Sequence, residues 1–163
     1  LFFEDYCQLF SKLYNLETVC LRYFNVFGPG QLGNSPYSTA VSSWIQRISE
    51  KQPLRSDGDG TQSRDLVYVE DVCQANFLAA VSDKKMFGEV YNVGTGKSYS
   101  NNQILRILEE KSGRYQIINA PSRKGDVKHT CADISKIRKE LGFNLETKFE
   151  DGLIKTLEWW NIP

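Results

Sequence analysis

Histidine is almost missing from this sequence, and cysteine never occurs in the close pairs that bind metals. The one histidine, His129, gives no basis for a Ser-His-Asp triad and is expected on a strand or at the surface. The four cysteines, Cys7, Cys20, Cys73 and Cys131, lie far apart without Cys-x-x-Cys spacing. We therefore expect no metal site, and we predict buried free thiols, as in a reducing compartment, rather than metal ligands or disulfides.

An excess of charge of either sign is absent as well. Lysine and arginine number 20, and aspartate and glutamate also number 20, so no overall field favours nucleic acid or an anionic membrane as a partner. A binding site for an anion would therefore have to come from basic residues that lie close together in the fold. No apolar run approaches a membrane-spanning length and no signal peptide opens the sequence, which predicts a soluble, cytoplasmic protein.

Strand-like and helix-like patterns alternate along the 163 residues. Apolar runs predict strands at 18–23, 53–56, 64–69, 89–93 and 115–119. Helical spacing predicts helices at 1–14, 38–50, 71–81, 101–113, 133–141 and 149–160, with Ser38, Asn101 and Asp133 at three of their starts. This alternation is typical of the α/β class. The first helix is apolar nearly all round, which predicts burial between elements or at an interface.

The buried-strand pattern over 18–23 leads into the turn Gly28-Pro29-Gly30. The crevice beyond the carboxyl end of a parallel strand is where α/β proteins place ligands. Tyr23 and Asn25 lie there, two residues apart, so an extended backbone points both to the same side. The local pattern leaves open the alternative of a core tyrosine and a turn asparagine.

Two arginines are candidates for binding phosphate. Arg64 begins a strand directly after a glycine turn, and Arg123 lies in a polar loop with Asp126. The guanidinium fork suits phosphate oxygens, and a nearby carboxylate accepts from a ribose hydroxyl. Taken alone, each arginine fits a surface ion pair better. The glycine string at 28–33 is not a dinucleotide loop, because no helix opens at its third glycine.

Five segments of the sequence form an ordered set of motifs. They are Leu-Arg-Tyr-Phe-Asn-Val-Phe-Gly-Pro-Gly-Gln (21–31), Gly-Asp-Gly-Thr-Gln-Ser-Arg-Asp-Leu-Val-Tyr-Val-Glu-Asp-Val (58–72), Tyr-Asn-Val-Gly-Thr-Gly (91–96), Arg-Lys-Gly-Asp-Val (123–127) and Ala-Asp-Ile-Ser-Lys-Ile-Arg-Lys-Glu-Leu-Gly-Phe (132–143). Taken together and in order, they resemble the extended short-chain dehydrogenase/reductases, and within them the NAD-dependent nucleotide-sugar epimerase/dehydratase family. UDP-hexose 4-epimerases are the nearest likeness, and the resemblance covers nearly the whole chain.

The resemblance implies a set of site residues. Tyr23 matches a position against the nicotinamide end of NAD, and Asn25 matches a contact to the sugar-nucleotide diphosphate. Thr39 and Ala40 match a helix start whose backbone reads uracil. Arg64 and Arg123 match the pyrophosphate arginines, Asp126 matches the ribose-binding carboxylate, and Asp65 ties its strand to a neighbouring turn. Arg55 and Ser56 replace an apolar residue that commonly flanks the base, which leaves the base open.

The resemblance also shows what this sequence does not contain. The family carries a glycine-rich NAD loop and a Tyr-x-x-x-Lys pair that supplies the catalytic base, and no tyrosine here has lysine four positions later. The catalytic residues are therefore expected outside this chain, which looks like a carboxyl-terminal half. Residues 1–30 then read as the tail of the Rossmann NAD-binding domain. Residues 31–163 read mainly as the nucleotide-sugar-binding domain, with 64–82 returning to the Rossmann core.

The implied fold is the end of a Rossmann-type parallel sheet with a small α/β substrate-binding domain. The implied function is the substrate-binding half of an NAD-dependent UDP-hexose 4-epimerase, inactive alone and homodimeric when complete through the first helix. The alternatives are a nucleotide-sugar 4,6-dehydratase, a UDP-glucuronate decarboxylase, and a non-catalytic nucleotide-sugar-binding module.

Overall fold

The computed structural model describes residues 2–35 and 38–162. It confirms an α/β protein in which the predicted helices and strands are present with boundaries shifted by a few residues. The helices are α1 (Phe2–Tyr14), α2 (Ala40–Ser49), α3 (Val69–Val81), α4 (Asn101–Ser112), α5 (Ser135–Leu141) and α6 (Phe149–Trp159). The strands are β1 (Thr18–Tyr23), β2 (Asn25–Phe27), β3 (Leu54–Asp57), β4 (Ser63–Tyr68), β5 (Phe87–Val93), β6 (Ser98–Ser100) and β7 (Ile117–Ala120).

The strands pair mostly in parallel. β1 pairs with β5, β2 pairs with β4, and β3 pairs with β7, all parallel, while β6 adds to β4 antiparallel. The chain changes partner at Phe24. The Phe24 amide still donates to the carbonyl of Val93 in β5 at 2.9 Å, and the next residue, Asn25, already pairs with Leu66 of β4. This single-residue step sets the candidate residues Tyr23 and Asn25 against different partner strands.

β4 separates two hydrophobic cores. Leu66 and Tyr68 belong to a core formed with α2, α4 and α6, and Val67 belongs to a second core formed with α3, α5 and β5. Successive side chains of a strand point to opposite faces, so one apolar run fills both cores. This explains why 65–68 are buried without exception, as expected for a strand covered on both faces.

The starts of three helices differ from the predictions. Thr39, not Ser38, caps α2, because its hydroxyl accepts from the amide of Ser42 at 3.2 Å, while the Ser38 hydroxyl donates to the carbonyl of Leu32. Ser100, one residue before the predicted Asn101, caps α4 in a capping box with Gln103. Asp133 lies two residues before α5, where its Oδ1 accepts from the amide of Ser135 at 2.9 Å.

Helix α1 carries an exposed row of aromatic rings. Phe2, Tyr6, Phe10 and Tyr14 follow at four-residue intervals with ring centroids 4.8, 6.4 and 5.1 Å apart. Phe2 is 70% exposed and Tyr14 is 68% exposed, so in this chain the apolar side faces outward rather than between elements. The inner side carries small and polar groups toward β1 and β5, which leaves the bulky residues outside.

The prediction of free thiols is confirmed, but the prediction that they are buried is wrong. Cys73 and Cys131 are exposed, Cys7 and Cys20 are only half-buried, and all four are free. Within 2–35 and 38–162, no helix is long and apolar enough to span a bilayer. The same residues hold no cluster of three histidine, cysteine or acidic side chains that could bind a metal ion.

Candidate functional site

Arg64 forms an ion pair with Asp126, and Asp126 lines a cleft. Arg64 is the second residue of β4, and its Nη2 donates to Asp126 Oδ1 at 2.5 Å while its Nη1 donates to the carbonyl of Ser63 at 2.9 Å. Asp126 belongs to the polar turn after β7, in which its amide donates to the carbonyl of Arg123 at 3.2 Å. Arg64, predicted to bind phosphate, and Asp126, predicted to bind ribose, are therefore in direct contact. Arg123, the second arginine predicted to bind phosphate, lies in the same turn as Asp126.

Arg123 is held by a carboxylate that the sequence reading did not assign. Its Nε donates to Asp57 Oδ2 at 2.5 Å, and the Nε of Arg55 donates to Asp57 Oδ1 at 2.7 Å. The pairing of β3 with β7 sets Asp57 opposite Ala120, which brings the loop after β7 within reach. Burial alone would raise the pKa of Asp57, but the hydrogen bonds from Arg55 and Arg123 outweigh it and hold that pKa below its usual value.

Arg123 and Asp126 line a cleft of about 600 Å³. Its walls come from the turn after β3 and the loop after β7: Gly58, Asp59, Thr61, Gln62, Ala120, Pro121, Ser122, Arg123, Asp126 and Lys128. The Arg123 side chain is 73% exposed although one of its N–H groups is bound to Asp57. A guanidinium has five N–H donors, so Arg123 keeps donors for an anion in the cleft.

The cleft is not uniformly positive. Asp59 lines it, but both the amide and the hydroxyl of Thr61 donate to Asp59 Oδ1, at 2.9 and 2.6 Å. These hydrogen bonds lower the pKa of Asp59 and occupy the carboxylate within its own turn. Asp59 therefore stays negatively charged, while Arg123 and Lys128 supply the positive charge of the lining, and Arg64 is paired with Asp126.

Asn25 and the start of α2 form a second group. Asn25 pairs with Leu66, which is two residues, or about 7 Å, along β4 from Arg64. Gln31 connects this strand to α2, because its Nε2 donates to the carbonyl of Val26 at 3.1 Å and its Oε1 accepts from the Thr39 hydroxyl at 3.4 Å. Thr39 is the cap and Ala40 the first residue of α2, and Ala40 is exposed.

The Tyr23 side chain contacts helix α3 rather than the arginines. It ends β1 and its side chain is 49% exposed, with the hydroxyl donating to Asn76 Oδ1 of α3 at 2.8 Å. The amide of Asn76 in turn donates to the carbonyl of Val72. Tyr23 thus lies at the carboxyl end of the parallel pair β1–β5, and its hydroxyl contacts Asn76 rather than the arginines.

The tie that was predicted from Asp65 to a neighbouring turn is present. Its side chain is fully buried and accepts from both the amide and the hydroxyl of Thr95, at 2.8 and 2.7 Å, and from the amides of Gly96 and Ala132, at 2.9 and 3.0 Å. Four donors surround one carboxylate, as a buried charge requires. Asp65 therefore fixes β4, and with it Arg64, against the turn after β5.

The structure brings Arg64, Arg123 and Asp126 together and pairs Asn25 of β2 with Leu66, two residues from Arg64 on β4. Gln31 connects β2 to Thr39 at the start of α2. The residue that the sequence reading missed is Asp57. A signal existed: Arg55 and Asp57 alternate with buried Leu54 and Ser56, so both charges share the outer face of β3.

This chain belongs to the NAD-dependent epimerase/dehydratase family. The sequence model described as "NAD dependent epimerase/dehydratase family" matches residues 1–94. A UDP-glucuronate 4-epimerase of Thermodesulfobacterium geofontis is 38% identical over 154 residues, which cover 92% of this chain and 45% of that protein. More distant relatives include a UDP-N-acetyl-alpha-D-glucosaminuronate decarboxylase of Bacillus cytotoxicus, 26% identical over 96% of this chain and 50% of its own length. A dTDP-glucose 4,6-dehydratase of Streptomyces niveus is 28% identical over 91% of this chain and 43% of its own length.

Solved structures show the same fold. The UDP-glucose 4-epimerase of Thermotoga maritima, crystallised with UDP-glucose, superposes with a TM-score of 0.90 at 34% identity over 97% of this chain and 50% of that chain. The UDP-glucuronic acid 4-epimerase of Bacillus cereus, in complex with UDP-glucuronic acid and NAD, gives a TM-score of 0.87 at 33% identity over 97% and 49% of the two chains. The chain therefore spans about half the length of the relatives it matches.

Proposed function

We propose that this chain is the nucleotide-sugar-binding half of an NAD-dependent UDP-hexose 4-epimerase. The observation that carries the proposal is that Arg123 and Asp126 line one cleft and that Asp126 is paired with Arg64, although Asp126 follows Arg64 by 62 residues. Two guanidinium groups suit the two phosphates of a nucleoside diphosphate, and a carboxylate beside them suits the ribose hydroxyls. The matches to UDP-sugar 4-epimerases support the same substrate class.

The reaction explains why the proposed site binds the nucleotide more tightly than the hexose. Inversion at C4 through a 4-keto intermediate requires the hexose to present both faces, so the nucleotide must be gripped firmly and the sugar loosely. Arg64 and Arg123 grip the diphosphate, Asn25 adds a contact to it, and the exposed start of α2 at Thr39 and Ala40 reads the base. When bound, NAD supplies the acceptor for the C4 hydride, and we assign only Tyr23 of this chain to its nicotinamide end.

The proposed division into domains is supported by the packing. Residues 1–30 form α1, β1 and β2, and 64–82 form most of β4 with α3, which contacts β1 and β2. This favours assigning both stretches to the Rossmann core. The remainder of 31–163 carries the cleft with β3 and β7. We place the catalytic base and the NAD loop outside this chain, and the chain alone is proposed to be inactive.

A 4,6-dehydratase or a sugar-nucleotide decarboxylase is the second candidate, because relatives with those activities match nearly all of this chain. These reactions share the nucleotide grip and differ in groups near the hexose. Product analysis with UDP-glucose and UDP-glucuronate separates them when the protein assayed also carries the catalytic base and the NAD loop. An epimerase returns an isomer of unchanged mass, a dehydratase a product lighter by one water, and a decarboxylase a product lighter by CO₂.

The direct test is the affinity of this chain for UDP, measured by calorimetry. Each charge-assisted hydrogen bond contributes about 1.5–3 kcal/mol, so Arg64→Ala is expected to weaken UDP binding roughly 10- to 100-fold. Arg114→Ala is the control, because Arg114 is exposed and lies before β7, at the end away from the cleft. Equal affinity of the Arg64 variant and the parent would refute the proposal.

A further inference from the structure

Helix α1 and strand β1 run past each other in opposite directions and are joined by matched side-chain pairs. Near the turn, Ser11 Oγ and Thr18 Oγ1 are 2.8 Å apart. At the far end, Arg22 donates to both carboxylate oxygens of Glu4, from Nε and from Nη2, at 2.6 Å each. The two elements are therefore in register from the first pair to the last.

The register places Cys7 and Cys20 opposite each other between these pairs. Cys7 is one helical turn from Ser11, a rise of about 6 Å, and Cys20 is two strand residues from Thr18, a rise of about 7 Å. The Thr18 hydroxyl also donates to the carbonyl of Cys7 at 3.2 Å, which draws that turn of α1 onto β1. Because the two rises are about equal and both begin at the contacting pair Ser11 and Thr18, the two thiols are expected to lie side by side between α1 and β1.

Two further observations fit this placement. Both cysteines are half-buried, while Cys73 and Cys131 are exposed. Burial raises the pKa of the Cys20 thiol to about 11, with the proximity of the Cys7 thiol as the next cause. Cys20 is therefore a poor first nucleophile at neutral pH and the more suitable partner for a second step.

We propose that Cys7 and Cys20 are a redox-reactive dithiol that closes to an intrachain disulfide between α1 and β1 when oxidised glutathione is present. The Cys7 thiolate attacks one sulfur of the oxidised glutathione, forming a mixed disulfide and releasing one glutathione thiolate. The Cys20 thiolate then attacks the Cys7 sulfur and releases the second glutathione. Two protein thiols are oxidised to one disulfide, and oxidised glutathione is reduced to two thiolates, which take up the two protons that the protein thiols lose.

Trypsin locates the link in the unmodified chain. Cleavage after Lys12 and Arg22 leaves Cys7 in peptide 1–12 and Cys20 in peptide 13–22, so the disulfide joins two peptides that separate on reduction. The chain is treated with oxidised glutathione at pH 8.5, unreacted thiols are blocked, and the digest is read by mass spectrometry. The expected result is the linked pair 1–12 with 13–22.

Variants remove the competing thiols. With Cys73→Ser and Cys131→Ser combined, we expect complete reaction to leave the protein lighter by two hydrogens, with no retained glutathione. Adding Cys7→Ser or Cys20→Ser leaves a single thiol, which is expected to retain glutathione at most. The inference is wrong if the two-cysteine variant retains glutathione on both thiols or links only between chains, or if the parent digest lacks the joined peptides.

Discussion

Arg64 Nη2 lies 2.5 Å from Asp126 Oδ1, although the two residues are 62 positions apart in the chain. The Arg64 side chain is 22% exposed and that of Asp126 is 35% exposed, so the pair is partly shielded from water. It connects the start of β4 to the turn after β7, and this turn also carries Arg123, which lines the cleft. A nucleoside diphosphate in this cleft must compete with, or bridge, an ion pair that already exists.

The contribution of that pair to stability is measurable by a double-mutant cycle. We expect the coupling free energy between Arg64→Ala and Asp126→Ala, from urea unfolding, to be about 1 kcal/mol, at the upper end for exposed pairs because of the partial shielding. Arg106 and Glu110, an exposed pair on α4, provide the comparison cycle, with a smaller coupling. Equal coupling in the two cycles would contradict a shielded pair at the cleft.

The sequence predicted an element or a contact correctly where a single strand or turn determines the position of the residue. The strand at 64–69, the helix at 71–81 and the tie from Asp65 to its turn follow from local pattern and from the resemblance, and all three are present. The cap of α2 was misassigned by one residue because Ser38 and Thr39 are both good caps, and only tertiary contacts decide between them. Strands β2 and β6 were missed because three residues give no period.

The candidate site could be predicted only in part, because it depends on which strands are neighbours in the sheet. The placement of Arg123 beside Asp57 depends on the parallel pairing of β3 with β7, which joins residues 66 positions apart. A sequence pattern can indicate that Arg55 and Asp57 share a face, but not which strand lies beside them.

Replacing Asp65 by asparagine is expected to be strongly destabilising. The carboxylate is fully buried and accepts from four donors, so an amide group would turn at least one N–H toward another N–H. We expect a loss of about 3 kcal/mol in the free energy of unfolding, measured with urea. Asp83→Asn, at an exposed position, is the control and should stay within about 0.5 kcal/mol of the parent. A comparable loss in both variants would argue against this role of Asp65.

The pair of Glu4 with Arg22 predicts a component of stability that disappears in acid. The Arg22 hydrogen bond lowers the pKa of Glu4 from 4.5 to about 2. A carboxylate with a lowered folded-state pKa stabilises the fold above its unfolded pKa, and this stabilisation is lost as the pH falls from about 4.5 to about 2. We expect Glu4→Gln to flatten the fall of the thermal unfolding midpoint in that range.

An Arg22→Gln background provides the control for this pH effect. Without the guanidinium, the main cause of the lowered pKa of Glu4 is gone, so adding Glu4→Gln should change the acid profile little. If Glu4→Gln flattens the profile equally in both backgrounds, the effect does not come from this ion pair.

The exposed aromatic row of α1 is proposed to be the surface through which two copies associate when the protein is complete. Phe3 is 82% exposed and Leu13 is 62% exposed on the same helix, so a contiguous apolar patch faces water in the single chain. We expect Phe3→Ser with Leu13→Ser to lower the weight-average mass in sedimentation equilibrium at unchanged unfolding free energy. Phe77→Ser, at a 64% exposed position on α3, is the matched control. Unchanged association in the α1 variant would exclude this surface.

Gly88 tests how closely α1 approaches β5. Its φ is +86°, and a Cβ built there would lie 2.5 Å from Gln8 Cγ and 2.7 Å from Gln8 Cα. Backbone atoms of a packed helix cannot move aside cheaply, so Gly88→Ala adds a clash to the backbone strain. At Gly142 the φ is +68° and the space around an added Cβ is open, so Gly142→Ala introduces backbone strain without a clash. We expect unfolding free energies lower by about 3 kcal/mol for Gly88→Ala and about 1 kcal/mol for Gly142→Ala. Equal losses would mean that α1 stands farther from β5 than the structure has it, and the register that sets Cys7 against Cys20 would fail with it.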